Sequence, residues 1–364
     1  MPISPNLEQN RDKLIPRNII EKTKVFRFLP EVAVYQALVK SMQDYGGYKE
    51  GDWENPAADG DRDTFYIFAY DWRRDNVENA RLLTRKMVEL KQKSGKPTLR
   101  FNVIAHSMGG LIARYAAMYG DEDLPPAGEK LSPTWIGAKN LNKIFMFGTP
   151  NEGSMSAFES LLTGYYVPLP TGRLKIGSLN SKVIFTSPAV FELLPHQVAV
   201  KFYDENLQPL DVDLYNPETW KTYGWGVIAK SDFSNGFNKQ NPTGNGNAAP
   251  EKAAVSTDEV NAYFAAVLNR ARRFHESLDA DIAVPSAISL FTFGSDCDQT
   301  LTAAVLRKGA KTNKWTTMSS PRGGYTTATG RKITEQEIRN VLYAPGDPRV
   351  TRASLAGGNN RRQK

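Results

Sequence analysis

The sequence predicts an α/β protein, a mostly parallel sheet with helices on both faces and an inserted cap. Three observations carry that prediction. Apolar and amphipathic runs alternate as strand, helix, strand, helix, strand between Thr64 and Pro150, the order of a parallel sheet with helical crossovers. The alternation stops after Pro150 and resumes at Ala287. A turn of small residues carrying Ser107 joins the second strand to its helix.

The elements follow in order. "TFYIFAYDW", Thr64 to Trp72, is a continuous apolar run that fits a buried strand. In "NVENARLLTRKMVELKQKSGK", Ala80, Leu83, Met87 and Leu90 fall on one helical face, and Gly95 is a natural stop. "LRFNVIAH" is a second strand, "MGGLIARYAAMYG" a second helix, and "LNKIFMFGTP" a third strand ended by Gly148 and Pro150. From 151 to 283 aromatics, prolines and polar residues mix without clear alternation. We read 151–283 as the cap, and 1–150 with 284–364 as the core. Within the cap, "SDFSNGFNKQNPTGNGNAAP" at 231–250 is a flexible loop by composition. "TDEVNAYFAAVLNRARRFHESL" is an amphipathic helix with Val260, Phe264, Val267, Ala271, Phe274 and Leu278 on one side. Thr257 or Asp258 is its expected cap. "AISLFTFG" resumes the strand pattern. No internal repeat occurs.

Composition narrows the function classes. At 364 residues the chain fits two domains, or one large α/β domain with an insertion. Hydrophobic residues at 40% and charged residues at 23% fit a soluble globular protein. No run reaches the roughly 18 apolar residues of a membrane helix. "MPISPNLEQNRDK" lacks the apolar run of a secretory signal, so a genuine N-terminus there predicts a cytoplasmic protein. The single cysteine, Cys297, gives neither an internal disulfide nor a thiolate zinc site. His106, His196 and His275 have no metal-ligand spacing. No metal is expected. A net charge of +7 fits a mildly basic soluble protein, and also allows peripheral contact with an anionic lipid surface. Basic residues cluster at Arg270, Arg272 and Arg273 and in "NNRRQK". No nucleic-acid-binding motif accompanies them, so nucleic acid is not an expected partner.

The chemistry centres on Ala105-His106-Ser107-Met108-Gly109. Serine hydrolases of the α/β type place the nucleophile on a strained strand-to-helix turn, usually G-x-S-x-G, whose neighbours must be small. Alanine meets that need in place of the first glycine. The Met108 backbone N–H would be half of an oxyanion hole, aided by the partial positive charge of the helix N-terminus. A serine that merely caps the helix is the blander alternative.

"YDWRRDNVENA", "VIAHSMGGLIARY" and "FMFGTPNEGS" together resemble the lecithin:cholesterol acyltransferase-like family of α/β-hydrolases. "SPAVFELLP" and "LDVDLYNPETWKTYGW" resemble that family's cap, and "PGDPRVTRASL" its G-D-G-T-V segment. The resemblance covers about residues 35–355. It implies an α/β-hydrolase fold, no cofactor, and a serine acyl-enzyme acting on lipid or lipophilic esters by hydrolysis or O-acyl transfer. It also implies that Asp347 is the acid. Pro348 and Arg349 depart from the family's glycine and threonine there. The rival acids are Asp296 and Asp298, which follow a strong strand. Asp71, with Arg73, reads as structural pairing at a strand end. The cap aromatics Tyr165, Tyr166, Phe191, Trp220 and Trp225 would line an acyl pocket or form ordinary core.

Two parts of the machinery are not visible. No histidine follows Asp347. His106 adjoins Ser107, where consecutive side chains diverge, and reads as a packed neighbour. His196 reads as a cap-surface residue and His275 as solvated. Upstream of Leu29, "NLEQNRDKLIPRNIIEKTKVFRF" contains no glycine for a second oxyanion loop. These gaps predict a piece of a longer hydrolase, or a member that keeps the fold and binds lipid or a partner without turnover. An amidase or protease of the same fold is a further alternative. Loss of a general base costs roughly six orders of magnitude in kcat, so the chain as written is expected to be nearly inactive unless His196 or His275 substitutes.

Overall fold

The computed structural model describes residues 1–19, 22–23, 32–33, 35–57, 63–126, 128–168, 175–197, 201–229, 255–309 and 312–357. The loop predicted at 231–250, the basic tail and, within the glycine-free segment upstream of Leu29, residues 20–21 and 24–28 lie outside them.

At the centre three strands run parallel in the order β3-β2-β1: β1 (Phe101–His106), β2 (Leu141–Phe147) and β3 (Ser289–Phe293). Their common direction puts the residues that follow them, Ser107, Gly148 and Gly294, on one edge. Open α/β sheets bind ligands at that carboxyl edge.

Two helices deliver the predicted alternation. α1 (Asn76–Lys93) is capped by Asp75, whose Oδ1 accepts the Val77 and Glu78 N–H groups at 2.7 and 3.3 Å. Its face of Ala80, Leu83, Met87 and Leu90 is buried as expected. α2 (Met108–Tyr119) is apolar nearly all round and almost wholly buried, and Gly120 ends it at φ +63°. α3 (Thr257–Leu278) buries all six predicted apolar positions. Its cap is Ser256, in a capping box with Glu259, rather than Thr257 or Asp258. Helices α1, α2 and α3 share one core with Ala105, Ile144 and Met146 of the sheet.

The run Thr64–Trp72 differs from expectation. Only Thr64–Phe65 forms a ladder, parallel to Lys49–Glu50. Beyond it, side chains take backbone carbonyls: the Trp53 indole donates to Ile67 O at 2.8 Å and Asn79 Nδ2 to Asp71 O at 3.1 Å. Phe68 and Tyr70 still pack on the core.

A second core gathers Phe158, Phe191, Phe202, Trp220, Trp225 and Phe264. Phe191, Trp220 and Trp225 are therefore core rather than pocket lining. The two indole N–H groups are satisfied, by Leu214 O at 2.7 Å and Thr317 Oγ1 at 2.6 Å. This core is backed by a four-stranded sheet in the order Pro209–Leu210, Lys201–Tyr203, Ala303–Lys308, Trp315–Met318. Residues 201–203, within the predicted cap, pair in parallel with 303–305, which follow β3. Finally β4 (Asp298–Leu301) pairs antiparallel with β5 (Tyr343–Gly346). That pairing returns the chain to the site edge at Asp347.

Candidate active site

The turn after β1 has the strain its sequence predicts. Ser107 sits at φ 52°, ψ −127°, a region costly for a residue with a Cβ. Two bonds hold it there. Its N–H donates to Phe147 O at 2.8 Å, and its carbonyl accepts the Gly110 N–H at 3.0 Å. The side chain makes no capping hydrogen bond. Small neighbours are required. A Cβ on Gly110 would stand 2.0 Å from Thr149 Oγ1. Gly109 is less constrained: a Cβ there would make ordinary contacts, 3.8 Å from the Ala105 Cβ and 3.9 Å from the Tyr70 hydroxyl. Met108 opens α2, so its N–H has no partner within the helix.

Asp347 lies on the same edge. A Cβ on Gly148, itself at φ +56°, would be 3.3 Å from Asp347 Oδ2. Gly148 directly follows Phe147, whose carbonyl holds the Ser107 N–H. Asp347 Oδ1 accepts the Arg349 and Val350 N–H groups at 2.7 and 2.6 Å, and the Thr300 hydroxyl donates to Asp347 O. The turn therefore draws no hydrogen bond from position 348, and Pro348, which has no N–H, fits it. The rival acids lie at and just before the start of β4, beside this turn. Asp296 pairs with Arg352 at 3.0 Å, and Asp298 is an exposed ladder residue opposite Gly346. Asp71 and Arg73 form the expected pair, bidentate at 2.9 and 2.7 Å.

Sequence reasoning missed a polar clamp joining the two halves of this edge. Asn151 Oδ1 accepts from Arg114 of α2 at 2.8 Å, and its Nδ2 donates to Leu355 O at 2.7 Å. Ser154 Oγ donates to Arg349 O at 2.5 Å, and the Glu152 N–H to Ser354 Oγ at 3.2 Å. The segment "GTPNEGS" thus ties the Ser107 helix to the Asp347 turn. Its signal was the polar run directly after the third strand.

The histidines are placed differently from expectation. His106 stays at the site: its Nδ1 is 2.8 Å from the Tyr35 hydroxyl. Packing around the ring lowers its pKa, and the Asp347 charge opposes that shift. Tyr70, nearby, has its pKa raised by burial and by Tyr35, so its hydroxyl keeps its proton. His196 and His275 are buried, not surface residues. Their rings stack at 4.0 Å, 13° from parallel. His196 Nε2 donates to Asp279 Oδ2 at 2.9 Å, and His275 Nε2 to Glu192 O at 2.7 Å. His275 Nδ1 bonds the Tyr215 hydroxyl. These partners satisfy both ring nitrogens of His275 and one of His196, whose buried Nδ1 has no partner among the described residues. Among the described residues, none of the three imidazoles bonds Ser107 Oγ, and no cluster of metal-ligating side chains occurs.

Comparison with known proteins adds the family. No curated protein matches the chain. Solved structures do match. One is the crystal structure of a Tle4–Tli4 complex, 15% identical with a TM-score of 0.45, covering 82% of this chain and 55% of that one. The chain thus spans about half the length of that solved chain. The model of the lecithin:cholesterol acyltransferase family matches residues 26–245. The chain belongs to the lecithin:cholesterol acyltransferase family.

Proposed function

We propose that this site carries out serine-dependent acyl chemistry, hydrolysis or O-acyl transfer, on lipid or lipophilic esters. The observation that carries the reading is the strained Ser107, free of any capping bond, at a buried helix N-terminus beside Asp347. Family membership supports acyl transfer on lipids as the class of reaction. Ser107 Oγ attacks the ester carbonyl carbon and its proton passes to a base. The carbonyl electron pair moves to an oxyanion facing the Met108 N–H. Collapse expels the alcohol, which takes the proton, and leaves an acyl-enzyme. Water or an acceptor alcohol then releases the acyl group. Asp347 would orient an imidazole acting as base, a role that none of the three histidines fills among the described residues.

One observation favours a second reading, a lipid-binding member without turnover: no imidazole bonds Ser107 Oγ among the described residues. A fluorescent fluorophosphonate separates the two. Labelling of the purified chain that vanishes in Ser107→Ala supports an activated nucleophile. A folded, unlabelled chain leaves the binding reading. Paired ester and amide substrates with one acyl group then test the ester preference against an amidase or protease.

A further inference from the structure

We propose that residues 13–17 form a docking tip for an anionic lipid surface, on the rim that carries Ser107. Leu14 and Ile15 are 68% and 81% exposed. Adjacent aliphatic side chains left this open are unusual on a surface that has no use for them. Lys13 and Arg17 flank them, both exposed and without an ion pair among the described residues. The tip therefore offers apolar side chains between cations, complementary to a surface with anionic headgroups over an acyl interior.

The tip is anchored. Asp12 Oδ1 accepts the Leu14 N–H at 3.0 Å. The Asp12 carboxylate also binds the Arg73 guanidinium at 2.6 and 2.9 Å, and Arg73 in turn grips Asp71. Arg11 pairs with Glu78 of α1 at 3.0 Å. The acidic residue nearest the tip in sequence is thus neutralised by a fixed arginine, which leaves Lys13 and Arg17 in excess. Arg17 also borders a cavity whose wall includes Glu50 and Asp52, so Lys13 is the less compensated cation.

The anchor places the tip near the site. Arg73 follows Tyr70, whose hydroxyl reaches the first turn of α2 beside Gly109. Trp72 between them is also exposed. A surface that takes up Leu14 and Ile15 would therefore face the rim where the ester must enter. The choice of lipid as partner rests on the reading of the site as one for lipid esters. Vesicle binding needs no reactive Ser107, so either reading can fail alone.

The test is co-sedimentation of the full chain with phosphatidylcholine vesicles, with and without phosphatidylserine. Binding to the mixed vesicles is expected to exceed binding to the zwitterionic ones. Leu14→Ser with Ile15→Ser is expected to weaken it by about 10- to 100-fold. Lys13→Glu with Arg17→Glu is expected to weaken it by at least about 10-fold at low salt, with the charge effect fading near 1 M salt. Tyr45→Ser, at a site 90% exposed away from the tip in sequence, is the control and should change nothing. All five positions are exposed, and unchanged melting temperatures confirm folding. No binding to mixed vesicles, or binding that both double variants leave intact, overturns the proposal. Binding lost equally in Tyr45→Ser also overturns it.

Discussion

His196 and His275 stack in a buried site whose hydrogen bonds fix their tautomers. Glu192 O can only accept, so His275 Nε2 carries a proton, and a neutral ring must then accept the Tyr215 O–H at Nδ1. Burial and the neighbouring His196 hold the His275 pKa well below its usual value. Asp279 and the Glu192 carbonyl pull upward and Arg114 downward, but burial dominates. The folded state therefore refuses a proton that the unfolded chain accepts near pH 6.5. His275 stabilises fully above that pH, and its contribution falls as pH drops through 6.5, by up to about 1.4 kcal/mol per unit. Glu192 works in the opposite sense, because burial and Asp75 raise its pKa. The comparison is thus with His275→Gln, which keeps a donor for Glu192 O. Urea midpoints at pH 7.5 and 5.5 should show wild type losing more stability on acidification than the variant. Equal losses would remove His275 as the sensor. Neither ring's burial was legible in the sequence, because their partners Asp279 and Tyr215 lie 83 and 60 residues away.

At the scale of elements, periodicity gave the helices and the three central strands, because each buries one repeating face in a common core. The cap was misassigned to Thr257 or Asp258, although "STDE" holds Ser256 and Glu259 at capping-box spacing. Both halves of that box are formed, with Glu259 N to Ser256 Oγ at 3.1 Å and Ser256 N to Glu259 Oε2 at 2.8 Å. Ser256→Ala is expected to cost about 1 kcal/mol. It should also speed amide exchange in the first turn of α3 while leaving Phe274 and Leu278 protected. Uniform exchange along α3, or no loss of stability, would contradict a local cap. The run Thr64–Trp72 shows where apolar content stops being informative. Hydrophobicity predicted burial of Phe68 and Tyr70, but a strand also needs a ladder partner, and composition does not reveal one. The site was legible in the same uneven way. The Ser107 turn is local and strained, so small residues mark it. Asp347 was expected on this edge only through resemblance, since its approach depends on the excursion of residues 294–346. The clamp through Asn151 and Ser154 joins three distant segments, and the polar run after the third strand was its one local sign.

At the scale of the whole molecule, the central sheet is asymmetric. Parallel sheets normally bury both faces. Here Ala105, Ile144 and Met146 face α1–α3, while Ile104, Phe147, Phe291 and Phe293 on the opposite face are exposed. Their register makes the exposure contiguous: Ile104, Phe145 and Phe291 lie abreast, then His106, Phe147 and Phe293. The rings stack across strands, Phe145 on Phe291 at 5.0 Å and Phe147 on Phe293 at 4.8 Å. Such pairs support the sheet, but the patch remains apolar surface open to water. The sequence hid this, because strands buried on both faces and strands with one bare apolar face share the same continuous apolar pattern. The purified chain is therefore expected to enhance the fluorescence of an apolar-surface dye at neutral pH while fully folded. Phe147→Thr with Phe293→Thr keeps strand propensity and removes two rings, so dye binding should fall by half or more. Ile144→Thr on the covered face should do the reverse, because it loosens the core and admits dye. Dye binding that is already weak in the wild type, or that both sets of variants change in the same direction, would mean that this face is covered in solution.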